Sequence, residues 1–167
     1  MKETKLVRAG VLVTGFDQQA VFDGAVAVSG DRIEAVGSYE ELSRSYIHAK
    51  TIGGKQFLLI PGLINGHGHG RGVTDFQHGN LDNTLESWIF DSKTNVSVNT
   101  FEDVAYSAIR LLKSGVTTTM HNYNHFNDVT AYKGEFEEAL RAYQNVGMRV
   151  QFNPGIRNAN LFVYGDN

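Results

Sequence analysis

An α/β fold is what this sequence predicts: a β-rich segment over residues 1–60, then strand-helix units of a parallel sheet over residues 61–167. Three observations carry the prediction. Residues 5–60 spell short alternating stretches broken by turn residues, the pattern of half-buried strands. From Leu63 onward the order becomes strand, helix, strand, helix, strand, and each helix runs through a glycine into a short apolar strand, as right-handed βαβ units do. Finally, 167 residues that are 41% hydrophobic with a formal net charge of −3 suffice for an ordinary core and carry no compositional mark of disorder.

In chain order, residues 6–14, 21–29 and 32–37 read as strands, with Ser29-Gly30-Asp31 as a hairpin turn between the last two. Ser38 with Glu41 three residues later forms a capping box that opens a short helix ahead of Leu42 and Ile47. Gly53-Gly54 reads as a turn into a strand over residues 56–60. This set makes half of a small β-sandwich.

Beyond Pro61, Leu63 to Gly66 forms the next strand, supported by the preceding Phe57-Leu58-Leu59-Ile60 run. A helix begins near Thr100, with Asp103 at the capping-box distance, and places Phe101, Val104, Ala105, Ala108, Ile109, Leu111 and Leu112 at helical spacing. Gly115 stops it, and residues 116–120 are β-branched and apolar enough for a strand buried on both faces. A second helix over residues 133–146 ends at Gly147 and leads into a strand over residues 148–152.

The charge balance of 15 Lys+Arg against 18 Asp+Glu, without a basic cluster, argues against nucleic acid or an anionic membrane surface as partner. With no cysteine there are neither disulfides nor thiolate ligands, so any metal must use nitrogen and oxygen donors. Met1-Lys2-Glu3-Thr4-Lys5 leads into an alternating stretch and not an apolar leader, and no apolar run approaches twenty residues, so a cytoplasmic location is the default expectation.

The chemistry concentrates in Pro61-Gly62-Leu63-Ile64-Asn65-Gly66-His67-Gly68-His69-Gly70. On a strand, positions i and i+2 face the same side, so His67 and His69 can reach one metal ion. Elsewhere an isolated His-x-His is as readily a polar glycine loop; here the adjoining strand favours a metal site. Neutral imidazoles suit Zn²⁺, with Fe²⁺ as a further option. The His121-Asn122-Tyr123-Asn124-His125 cluster reads either as substrate contact at a pocket rim, with His121 favoured over His125, or as a polar loop. Trp88, at helical spacing from Leu85 and Ile89, is either an apolar pocket wall or core. Asn153 and Arg157 either face substrate or shape their loop, and Arg71, Asp75, Gln77 and His78 are further pocket candidates. No Gly-x-Ser-x-Gly appears, and Gly66 to Gly72 lacks the Lys-Ser/Thr ending of a phosphate-binding loop.

The ten-residue stretch resembles the first barrel strand of the metal-dependent amidohydrolase superfamily, whose signature there is Pro-Gly, two hydrophobic residues, Asn or Asp, any residue, then His-x-His. The chain is most similar to the cytosine-deaminase-like and chlorohydrolase-like branch, through Arg71-Gly72, Leu85-Glu86-Ser87-Trp88 and Gly115-Val116-Thr117-Thr118-Thr119. The resemblance runs over nearly all of the chain, but only the His-x-His element is diagnostic. It implies that residues 63–66, 116–120 and 148–152 are strands one to three of a (β/α)₈ TIM-like barrel. Such a barrel takes about 250 residues, so the resemblance implies an incomplete barrel, the N-terminal portion of a larger enzyme. The remaining metal ligands, two histidines and an aspartate from later strands, and the acid/base group would then lie beyond residue 167. The implied reaction is hydrolysis or deamination at a C–N bond of a small-molecule substrate, a cyclic amide, amidine or heterocycle, by metal-activated water. The alternative is a non-catalytic fragment or structural subunit, completed by another chain, the remainder of the barrel or a homo-oligomer.

Overall fold

The computed structural model describes residues 3–92, 94–124 and 132–155. The chain divides into two compact units between Pro61 and Gly62. In the first, strands β1 (Thr4–Leu12), β2 (Val21–Ser29), β3 (Arg32–Ser38) and β4 (Lys50–Leu59) form one sheet in the order β3-β2-β1-β4. The β1-β2 and β2-β3 pairs are antiparallel and β1-β4 is parallel. A parallel pair needs a crossover, and helix α1 (Tyr39–Ser45) lies on it between β3 and β4. Ser38 caps α1 by accepting from the Glu41 N–H at 3.2 Å, and its hydroxyl donates to the Glu41 carboxylate at 2.9 Å. Leu42 thereby packs with Leu6, Ala25 and Ala27 in the core of this unit.

Two expectations change here. Gly53 and Gly54 lie inside β4, paired with Arg8 and Ala9 directly before the register shift to the Val11–Leu58 pair, so they are strand and not a turn, and the bulge follows them at residues 55–57. Phe57, Leu58 and Leu59 belong to β4 in the first unit's sheet, with Ile60 just past its end, and the run does not extend the histidine-bearing strand.

The second unit carries β5 (Leu63–Gly68), α2 (Leu85–Ser92), α3 (Thr100–Lys113), β6 (Val116–Tyr123), α4 (Tyr132–Val146) and β7 (Arg149–Pro154). Its sheet is parallel in the order β5-β6-β7. Chain order therefore equals spatial order, and the sheet is unclosed: a partial, TIM-barrel-like α/β arrangement. Both long helices end on a left-handed glycine, Gly115 at φ 85° and Gly147 at φ 77°, which turns the chain directly into the next strand. Ala108, Ala139 and Ala142 are fully buried, small enough to let α3 and α4 approach closely over Val104, Tyr143 and Met148.

The N-cap of α3 is Asn99, accepting from the Glu102 N–H at 3.1 Å, in place of the expected Thr100–Asp103 pair. β6 runs three residues further than the sequence suggested and β7 two, which puts His121 and Asn153 within strands. Among the described residues no helix is long and apolar enough to cross a membrane.

Candidate metal centre

β5 delivers His67 within the strand and His69 one residue past its end. The two rings meet edge to face with centroids 5.1 Å apart, and both residues are exposed. The Asn65 side chain accepts the His67 main-chain N–H at 3.2 Å. Asn122, from the neighbouring β6, touches both rings. Its main-chain carbonyl lies 2.9 Å from His69 Nδ1 and its amide nitrogen 3.3 Å from His67 Nδ1. The Asn124 amide nitrogen lies 3.4 Å from His69 Nδ1. Asn153, on β7, donates to the Asn122 amide oxygen at 3.2 Å, so it reaches the histidines through Asn122.

A carbonyl can only accept, so His69 Nδ1 carries the proton toward Asn122 and its Nε2 keeps a lone pair. A metal-ligating imidazole needs that state. His69 thus offers a donor that suits a borderline divalent ion. Among the described residues no group of three or more His, Cys, Asp or Glu is placed to hold an ion, so the candidate donors here number two, His67 and His69.

The strand alternation of β6 separates two kinds of residue. Thr119, His121 and Tyr123 are buried, whereas Asn122 between them turns to the histidine side. The sequence left His121 either at a pocket rim or in a polar loop; the structure places its ring in the interior with 0% exposure, packed on Tyr123, Tyr143 and Phe152. Its Nδ1 meets the Tyr143 hydroxyl at 3.0 Å, and its Nε2 is buried without a hydrogen-bond partner among the described residues. Burial lowers its pKa to about 4; the His69 main chain, which favours the charged ring, offsets only part of this. Burial likewise pushes the Tyr143 phenol up to about 12 and raises that of Tyr123, which donates to Glu135 at 2.7 Å.

Beside His69 opens a cavity of about 400 Å³, with Trp88, Ile89 and Leu111 as apolar wall and Arg71, Asp75 and Asn124 among its polar lining. Trp88 is partly buried on α2 and lines this cavity. Arg71 donates to Asp75 at 3.1 Å, and Asn95 donates to the same carboxylate at 2.7 Å. Gln77 is taken up in a capping box with Thr74, and His78 lines a smaller cavity of about 220 Å³ that also touches His69, Arg71 and Asp75. The loop is tied to α3 by Asp103, which accepts from the Gly72 and Val73 N–H groups at 2.8 Å each. His125 and Arg157 lie outside the described residues.

Comparison with known proteins adds three kinds of likeness. The imidazolonepropionase-like composite domain of bacteria matches residues 24–46. The 5-methylthioadenosine/S-adenosylhomocysteine deaminase 1 of Syntrophus aciditrophicus is 29% identical over 157 residues, 88% of this chain and 32% of that one. The 5'-deoxyadenosine deaminase of Methanococcus aeolicus is 31% identical over 137 residues, 74% of this chain and 30% of that one. A variant of atrazine chlorohydrolase from Arthrobacter aurescens, solved with zinc and atraton, superposes with a TM-score of 0.69 at 25% identity, over 88% of this chain and 34% of that one. Guanine deaminase from Bradyrhizobium japonicum shares the fold, with a TM-score of 0.65 at 19% identity over 90% of this chain and 34% of that one. The chain spans about a third of the length of the relatives it matches.

Proposed function

We propose, from the premise that this chain belongs to the amidohydrolase superfamily in its deaminase and chlorohydrolase-like branch and matches a fragment of those larger proteins, that it supplies the first two metal ligands of a hydrolase. His67 and His69 hold the ion through ring nitrogens, and zinc is favoured because the chlorohydrolase relative was solved with it. When bound, such an ion lowers the pKa of water toward 7 and makes a nucleophile at neutral pH. The reaction is hydrolysis at a C–N bond of a cyclic amide, amidine or aminated heterocycle. The cavity beside His69 receives the ring, with Trp88 as apolar wall and Asn153 acting through Asn122.

The observation that carries this reading is the pair of rings 5.1 Å apart with His69 Nδ1 bonded to a carbonyl. A histidine pair in an ordinary polar loop has no need of that arrangement. The test is metal analysis of the complete natural chain after dialysis, together with release of ammonia from amine-bearing heterocycles. Bound zinc with turnover supports the reading, and neither one refutes it.

A second reading is favoured by the two-donor count. Two imidazoles fall short of the three protein ligands typical of a catalytic zinc site, so residues 1–167 alone form a non-catalytic piece that needs further chain to complete the site. Turnover by residues 1–167 alone would exclude it.

A further inference from the structure

We propose that Asn122 is the positioning residue of this metal centre, setting which ring nitrogen of each histidine is left bare, and that Asn153 sets the orientation of the Asn122 amide. The inference rests on the metal-site reading above. Three adjacent strands each supply one link, since His67 stands on β5, Asn122 on β6 and Asn153 on β7, and β5-β6-β7 is the sheet order.

The two histidines are held differently. For His69 the partner is the main-chain carbonyl of Asn122, which accepts at 2.9 Å and cannot donate, so the proton is fixed on Nδ1 and Nε2 stays bare. For His67 the partner is the Asn122 side chain, which can do either. In the orientation described, the amide nitrogen faces His67 Nδ1 at 3.3 Å while the amide oxygen accepts from Asn153 at 3.2 Å. An amide nitrogen can only donate, so His67 then carries its proton on Nε2, where it blocks that atom as a ligand. Turning the amide over brings Oδ1 to His67 Nδ1, moves the ring proton there and bares Nε2. The Asn122 nitrogen then needs an acceptor, which Asn153 supplies only if its own amide turns as well. The two amides are therefore coupled, with one joint orientation that closes His67 to a metal and one that opens it.

This assigns Asn122 a role that neither burial nor packing requires. Outer-shell partners of this kind are worth about 10–100-fold in metal affinity. The complete natural chain is titrated with zinc against a competing chelator, using Asn122→Leu, Asn122→Asp and the reference variant His67→Ala. Asn122→Leu keeps the main-chain bond to His69 and removes both orientations of the side-chain amide, so the His67 proton is no longer fixed on Nε2 and the ring populates both tautomers. Asn122→Asp can only accept, holds His67 in the ligand-ready tautomer and binds zinc at least as tightly as the parent. Nitrogen-15 NMR of the metal-free proteins reads the tautomer directly: the His67 proton sits on Nε2 in the parent and on Nδ1 in Asn122→Asp, a change that no purely structural role produces. A folded Asn122→Leu protein whose His67 proton stays fixed on Nε2 overturns the inference, as does an Asn122→Asp protein with an unchanged His67 tautomer. Unchanged binding in His67→Ala instead sinks the metal-site reading beneath it.

Discussion

Gly70 sits against the edge of the His121 ring so closely that a Cβ added to it would lie 2.2 Å from His121 Cε1. Its backbone is also left-handed, at φ 63°. The residue that follows His69 thus has no room for a side chain and a conformation that L residues avoid. This contact fixes where the chain leaves the histidine pair, because His121 cannot retreat into the core formed by Tyr123, Tyr143 and Phe152.

Gly70→Ala is therefore expected to destabilise the protein by about 2–4 kcal/mol, from the left-handed backbone and the steric overlap together. Chemical denaturation measures it. A loss below about 0.5 kcal/mol, the range of ordinary surface substitutions, would show that the loop relaxes freely and that His121 does not brace it.

His121 is held neutral by burial, with its pKa lowered from 6.5 to about 4. Between those values the unfolded chain carries a proton on this ring that the folded chain does not, so stability rises with pH across the window. The contribution is complete above pH 6.5, is lost as pH falls toward 4, and amounts to roughly 3 kcal/mol. Urea denaturation at steps from pH 4 to pH 7.5 should give a steeper dependence in the parent than in His121→Phe. Parallel curves would contradict the assignment of a buried neutral imidazole.

Asp103→Ala removes the acceptor of two main-chain bonds at 2.8 Å, from Gly72 and Val73. Hydrogen bonds to a charged group contribute about 1.5–3 kcal/mol each, and water replaces part of that in a half-exposed loop, leaving an expected loss of about 2 kcal/mol. Hydrogen exchange at the Gly72 and Val73 amides should accelerate, while Asp103→Asn, which keeps an acceptor, should lie between the two. Unaltered exchange in the alanine variant would show that the loop is held by something else.

Trp88 is the only tryptophan, so its fluorescence reports on the cavity without interference. A ring-shaped ligand entering beside His69 should change that emission saturably, and Trp88→Phe should raise KM more than it lowers kcat. Emission that stays constant at saturating substrate would remove Trp88 from the binding wall.

The sequence made the alternation of elements readable because each long helix ends on a glycine that must turn left-handed, at Gly115 and Gly147. Strand ends were harder. The β-branched Thr117-Thr118-Thr119 run signals a strand, but His121-Asn122-Tyr123 looks like a polar loop until its partners on α4 and β5 are known. Ending β6 at Met120 sends His121 to the rim and hides the alternation that buries it while turning Asn122 toward His67 and His69. Extending the period-two pattern by three residues would have exposed Asn122. Asp103 misled for a similar reason, since its spacing from Thr100 matches a local cap while its actual partners, Gly72 and Val73, lie about thirty residues away. Local patterns report local bonds; this one is long-range.

Whether His67 and His69 hold a catalytic ion is decided by metal occupancy and steady-state turnover of His67→Ala in the complete natural chain. One zinc per parent chain is expected, with a metal-depleted variant that shows no measurable turnover and a melting temperature close to the parent's, because catalytic metals sit in a scaffold that its own strands and helices already organise. Full metal occupancy and parental turnover in the His67→Ala protein would contradict it.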